Sequence, residues 1–232
     1  VTQLSQVKVA GLTGSPSLDI PVSTVSRQES TVGQSPAAVF VITNEMIRRS
    51  GAKEIPEVLR MVPGLSVEKI DSSKWSVTVR GFGGRFASKL LVRIDGRDVY
   101  TPLFGGTFWD VQDVLLEDVE QIEVIRGPGA TVWGANAVNG VINIITKSAA
   151  DTKGAYVETG GGTYYRNFTS ARVGGQMGKD AAYRVYGKWF DYGRGELPTG
   201  DANDSWRQAR GGVRLDWNVG SDDVITFQGD YY

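Results

Sequence analysis

Carboxylates and arginines are the side chains through which this chain could do chemistry, because it has neither an imidazole nor a thiol. Its 232 residues include 26 Asp and Glu and 25 Lys and Arg, but no His and no Cys. Without His the ordinary catalytic base and the commonest metal ligand are gone. Without Cys there is no thiol chemistry and no disulfide framework. The carboxylates Asp95, Asp98, Asp110 and Asp113 lie close in sequence and could suggest a site. Asp95 precedes Gly96 and reads better as a turn residue, the other three as solvated loop acids. No nucleophile motif accompanies them, so an enzyme is disfavoured, and no metal or cofactor is expected. A net charge of -1 gives no basic footprint for nucleic acid. Arg80 and Arg126 differ from the other cations because each follows an apolar strand-like run. A charge held in a packed interior needs a partner, whereas an exposed pair contributes little.

The elements around these residues fall into three textures. Residues 1–35 are rich in Ser, Thr, Gln, Gly and Pro and read as a mobile arm. Residues 36–150 read as a compact α+β unit. Ala38 to Ile42 suits a buried strand, and Thr43 or Asn44 caps a helix that Gly51 ends. Ile55 to Met61 forms a second helix, stopped by Pro63 and Gly64. Strands are predicted at 76–80, 90–94, 122–125 and 141–146, with turn signals at Asp95-Gly96 and Asn139-Gly140. Residues 151–232 switch to a period of 2 in about five segments. Tyr183, Val185 and Trp189 alternate with Arg184, Tyr186 and Lys188, and Val213, Leu215 and Trp217 with Arg214 and Asp216. Stretches of about 10 such residues fit transmembrane β-strands, which need no long apolar run. A soluble antiparallel sandwich shows the same alternation.

The middle region resembles the plug of TonB-dependent outer-membrane receptors at several separate places. Pro36-Ala37-Ala38-Val39-Phe40-Val41-Ile42-Thr43 is similar to the opening plug strand, and Ile55 through Val67 to the helix with its following Pro-Gly. Val79-Arg80-Gly81-Phe82, Leu91-Val92-Arg93-Ile94-Asp95-Gly96 and Ile122-Glu123-Val124-Ile125-Arg126-Gly127-Pro128 follow in the family's order. The last continues through Trp133-Gly134 to Ala137-Val138-Asn139-Gly140-Val141-Ile142-Asn143-Ile144-Ile145-Thr146-Lys147, with Trp133 where the family usually has Tyr.

The resemblance implies an α+β plug domain (36–150) followed by the first antiparallel strands (151–232) of a transmembrane β-barrel. Such a barrel has about 22 strands in all. It implies the outer membrane of a Gram-negative bacterium, contact with outer-membrane lipid, and an N-terminus facing the periplasm. The expected function is active transport of a ferric siderophore or similar metal chelate. Cobalamin, haem or oligosaccharide uptake, or a passive porin or adhesin, stand behind it. A signal-transducing receptor would need an extra N-terminal domain, and few residues precede the arm's candidate box. The expected partner is TonB with its inner-membrane energising complex, engaged by strand addition at a box formed by Asp19, Ile20, Pro21, Val22, Ser23, Thr24 and Val25. Val7-Lys8-Val9 is the second choice. By the same resemblance Arg80 and Arg126 face acids of the barrel wall and lock the plug. Outward-facing plug loops at 71–75, 83–88 and 100–109 offer Lys74, Trp75, Arg85, Tyr100, Phe104, Phe108 and Trp109 to a ligand. Aromatic faces and cations suit a bulky, often anionic chelate, though several of these rings would serve equally as packing.

Overall fold

A computed structural model of the chain describes residues 19–24, 30–35, 37–81, 83–128, 130–134, 136–220 and 223–232. Strands β1 (Pro21–Val22) and β2 (Ser30–Thr31) form a small antiparallel pair within the arm. The strand β3 (Val39–Thr43) runs into helix α1 (Asn44–Ser50). The Thr43 hydroxyl accepts from the Met46 amide, and Gly51 closes the helix in the left-handed region at φ 71°. Helix α2 (Ile55–Leu59) takes Pro56 in its first turn, where a missing amide costs nothing. Strands β4 (Leu65–Lys69) and β5 (Trp75–Val79) form a hairpin.

Four longer pieces and a short one make the central sheet. They are β6 (Leu90–Ile94), β7 (Arg97–Asp98), β10 (Val119–Arg126) and β11 (Gly140–Thr146), joined to β3 in the order β3-β10-β11-β6-β7. Two short strands, β8 (Tyr100–Thr101) and β9 (Gly106–Thr107), lie between β7 and β10 in sequence, and the short helix α3 (Ala130–Trp133) follows β10. Within this sheet β6 and β11 pair in parallel, and the other neighbours are antiparallel. Apolar residues fill both faces of the sheet, so it is buried on two sides. Phe40, Ile42, Ile122, Val124, Ile142 and Ile144 face α1, α2 and the β4–β5 hairpin. Val39, Val41, Ile125 and Val141 face the other way, where Val22 of the arm and Trp133 cover them. Gly140 is required by closeness, since a Cβ there would meet the Ile125 carbonyl oxygen at 2.5 Å.

The remaining strands make a second five-stranded antiparallel sheet. Strands β12 (Gly154–Gly160), β13 (Tyr165–Met177) and β14 (Ala181–Tyr192) are consecutive in it. A two-residue pair, β15 (Glu196–Leu197) and β16 (Gly200–Asp201), decorates the long 193–205 loop, and β17 (Trp206–Val219) and β18 (Asp223–Tyr231) complete the sheet. Strand lengths of 12 to 14 residues in β13, β14 and β17 exceed the ordinary soluble strand. The turn at 178–180 is short, the 193–205 connection long, as in outer-membrane barrels. No helix among the described residues is long and apolar enough to cross a membrane, which says nothing of strands.

This sheet is inside-out relative to the α+β unit. Val157, Val173, Val185, Trp189, Val213 and Phe227 point away from the unit and are 41–69% exposed. On the opposite face of the same strands sit Arg172, Arg184, Lys188, Arg210 and Arg214, each in contact with the α+β unit.

Candidate functional site

The three stretches expected to meet a ligand divide between two arrangements, one tied to the long 193–205 loop and one built from aromatic rings. In the first, the Asp71 carboxylate accepts from the Ser73 and Lys74 amides at 2.9 and 2.8 Å and pairs with the Lys74 ammonium. Burial works to raise the Asp71 pKa, but these hydrogen bonds outweigh it and hold the carboxyl below its ordinary value. The Ser72 amide donates to Asp204 at 2.9 Å, and the Ser72 hydroxyl to the Gly193 carbonyl at 3.2 Å. The tip of the β4–β5 hairpin is thereby tied to the loop.

The other two stretches meet in a ring cluster. Phe86, Phe104 and Phe108 have centroids 4.9–5.4 Å apart, and Arg85 lies over Phe86 and Phe108 at 5.1 and 5.6 Å. Phe104 is 54% exposed. Phe86 is a member of the cluster that the sequence did not single out, and its place in the 83–88 stretch is the signal that could have found it. Lys74, Arg85, Tyr100 and Phe108 are partly exposed. Trp75 and Trp109 are 2% and 6% exposed and belong to the hydrophobic core. The Trp75 indole donates to Glu54 at 2.6 Å, and burial pushes the Glu54 carboxyl up. Arg85 also pairs with Asp110 at 3.6 Å, and Lys74 with Asp71, so neither cation stands unneutralised.

Where the unit meets the long-strand sheet, cations of the sheet grip carboxylates of the unit. Arg172 and Arg184 hold Asp118 at 2.7 and 3.4 Å, Lys188 holds Asp113 at 2.6 Å, and Arg214 approaches Asp95 at 3.7 Å. Desolvation pushes the Asp118 carboxyl up against the pull of these guanidiniums. Asp113 is 7% exposed, so its reading as a solvated loop acid is corrected. Asp95 does occupy a two-residue turn, with positive φ at both Asp95 and Gly96. Its carboxylate also accepts from the Thr146 amide and hydroxyl at 2.7 and 2.8 Å. Arg80 and Arg126 lie elsewhere. Arg80, at φ 57°, donates to the Arg126 carbonyl at 3.2 Å, and Arg126 to the Pro63 carbonyl at 2.8 Å.

Comparison with known proteins decides what this arrangement is. The model of the TonB-dependent receptor plug domain matches residues 31–141. The vitamin B12 transporter BtuB of Vibrio vulnificus is 31% identical over 160 residues, 67% of this chain and 25% of that protein. The ferric enterobactin receptor of Pseudomonas aeruginosa is 26% identical over 248 residues, 89% of this chain and 32% of its own length. The chain belongs to the TonB-dependent receptors. The pyoverdine receptor FpvA from Pseudomonas aeruginosa, solved with pyoverdine, superposes with a TM-score of 0.74. The match covers 90% of this chain and 29% of FpvA at 20% identity, which is a likeness of fold. The siderophore receptor PirA from the same organism gives 0.61 at 26% identity, over 85% of this chain and 34% of PirA. The chain therefore spans about a quarter to a third of its relatives.

In receptor terms the α+β unit is the plug, and the long-strand sheet is a section of barrel wall whose inner face is charged. The family is one of the bacterial outer membrane, and its named relatives are transporters and receptors. The candidate box is docked against the second face of the plug sheet. Val22 and Thr24 are 2% and 1% exposed. The Ser23 and Thr24 amides donate to the Glu123 carboxylate, and the Trp133 indole donates to the Thr24 carbonyl at 2.6 Å. Val7-Lys8-Val9, Val25, Pro36 and Phe82 lie outside the described residues.

Proposed function

We propose that this chain forms the plug and first wall strands of a receptor that takes up a scarce ligand across the outer membrane, driven by TonB. The observation that supports it is the inversion between the two sheets. A plug with an apolar core sits against wall strands that turn cations inward and apolar side chains outward. Residues 19–25 act as the TonB box, the plug lies in the lumen with its arm toward the periplasm, and Arg80 and Arg126 lock to acids of wall strands that follow. Lys74, Arg85, Tyr100, Phe104 and Phe108 line the floor of the ligand site. The work is binding and passage, without catalysis or cofactor.

A ferric siderophore is the leading cargo, in keeping with the ferric enterobactin receptors among the relatives. Cobalamin is the second reading, favoured by the 31% identity to the Vibrio vulnificus vitamin B12 transporter. The test is uptake of labelled ferric enterobactin and cyanocobalamin by cells carrying the full-length receptor, with and without a collapsed proton gradient. Gradient-dependent uptake is expected. Deleting residues 19–25 should abolish uptake and leave surface binding intact. Uptake indifferent to the gradient would point to a passive porin.

A further inference from the structure

The second face of the plug sheet carries a fully buried carboxylate, and the arm is what satisfies it. Glu123 is 0% exposed and lies between β3 and β11 on the face lined by Val39, Val41 and Ile125. A buried carboxylate needs donors. Its donors are the Ser23 amide at 3.2 and 3.3 Å, the Thr24 amide at 2.9 Å and the Gln121 side-chain amide at 2.8 Å. Gln121 in turn donates to the Pro21 carbonyl at 3.2 Å.

The pattern has the form of strand pairing. In an extended segment alternate residues turn their backbone groups to opposite edges. Residues 20 and 22 turn theirs to the arm's own partner. Val22 pairs with Ser30, and the Val32 amide donates to the Ile20 carbonyl at 3.0 Å. Residues 21 and 23 turn theirs the other way, where side chains of β10 meet them in place of a strand. Gln121 supplies a donor to the carbonyl of residue 21, and Glu123 an acceptor to the amide of residue 23. Those are the donor and acceptor that a neighbouring strand presents to one edge. Trp133 and Asn143 close the end of the segment, through the Thr24 carbonyl at 2.6 Å and the Thr24 hydroxyl at 2.9 Å.

We propose that Gln121 and Glu123 are a built-in substitute for a partner strand. They occupy the edge of residues 21–23 that a strand-adding partner uses, and so set how readily the arm is surrendered. This rests on the reading of residues 19–25 as the coupling box. The two side chains are positioning residues, and they compete with the incoming strand for the same backbone groups.

The experiment uses the full-length receptor in detergent with Val22→Cys as a reporter, its rate of labelling by a water-soluble maleimide, and its affinity for the periplasmic domain of TonB. Heat-modifiable gel mobility checks that the barrel is folded. Glu123→Ala should speed labelling and tighten TonB binding, each by about tenfold, the scale of one charge-assisted hydrogen bond. Glu123→Gln keeps one acceptor oxygen but loses the charge and turns an amide donor toward another N–H, so it should fall between the parent and Glu123→Ala. Gln121→Ala, at a half-buried position, gives a milder variant should Glu123→Ala fail to fold, and should move both readouts in the same direction. Unchanged labelling in Gln121→Ala and Glu123→Ala overturns the proposal, and if deletion of residues 19–25 still abolishes TonB binding, the box reading survives that failure. Faster labelling with unchanged TonB affinity also overturns the competition. If the deletion then leaves TonB binding intact, it is the box reading that has failed.

Discussion

The plug and the wall bury opposite kinds of residue, and the boundary between them is where the charges are. In the plug the strands hide their apolar groups on both faces, and Ile42, Ile122, Ile142 and Ile144 are all 0% exposed. In the wall most large apolar groups are exposed, Phe190 and Tyr192 at the loop end of β14 apart, and the buried set includes Ser170, Arg184, Arg210 and Asp216. A soluble sandwich would put its apolar stripe against a partner sheet. Here the plug lies on the charged face instead. Lipid can accept apolar side chains but cannot satisfy charged ones, so the wall sends its cations to the only interior available. Close packing stabilises the plug core; what holds plug to wall is pairing of desolvated charge.

The sharpest way to break this contrast is to remove one shared carboxylate. Asp118 serves both Arg172 and Arg184, whose side chains are 11% and 5% exposed. Asp118→Ala leaves two guanidiniums without their acid in a desolvated site, which costs about 3–5 kcal/mol. The expected result is a plug that unfolds at lower temperature in calorimetry of the full-length receptor while the barrel transition stays in place. An unchanged plug transition would mean that the pairing contributes little. Within the plug, Ile142→Ala removes a fully buried side chain from the middle of β11. A loss of about 2–5 kcal/mol is expected from urea unfolding followed by tryptophan fluorescence.

The wall side of the contrast has its own test. Val213 is 54% exposed on the outward face of β17. In water, Val213→Lys would be close to neutral. If lipid bathes that face, it should cost about 2–4 kcal/mol in folding titrations into vesicles, while Val213→Leu changes little. A neutral lysine would sink the membrane reading of this sheet.

The alternation in β14 and β17 was legible in the sequence because the period of 2 is set by the pleat, whatever surrounds it. The Thr43 cap, the Gly51 stop and the Asp95-Gly96 turn were legible because each is a local event within a few residues. What escaped was non-local. Strand β4 carries only two apolar residues, Leu65 and Val67, between Ser66, Glu68 and Lys69, so its alternation does not stand out before β5 pairs with it. The burial of Trp75 and Trp109 depends on packing from distant elements, and a ring beside a loop motif looks the same whether it faces ligand or core. The inward cations were visible as residues, but their acids Asp113 and Asp118 lie 54 to 75 positions away in the chain. The grip of Glu123 on Thr24 spans 99 positions and has no sequence signature.

The smallest effect concerns the seam between the β4–β5 hairpin of the plug and the 193–205 loop of the wall, which is held by hydrogen bonds near the surface. Asp71 and Asp204 both sit below their ordinary pKa. In Asp204 the Gly195 amide at 2.7 Å does most of this, with the Ser72 amide assisting. In Asp71 burial pushes the other way, and the hydrogen bonds from Lys74 and Ser73 overcome it. A carboxylate with a depressed folded-state pKa adds stability above its unfolded value, near 4, and that stability is lost as pH falls through the folded value. The seam should therefore loosen on acidification below about pH 4. Hydrogen exchange at the Ser72 and Gly195 amides, which Asp204 holds, and at the Ser73 and Lys74 amides, which Asp71 holds, corrected with an unstructured peptide at each pH, reads this directly. Protection at these amides that is the same in Asp71→Asn and Asp204→Asn as in the parent would show that backbone packing, and not these two carboxylates, holds the seam.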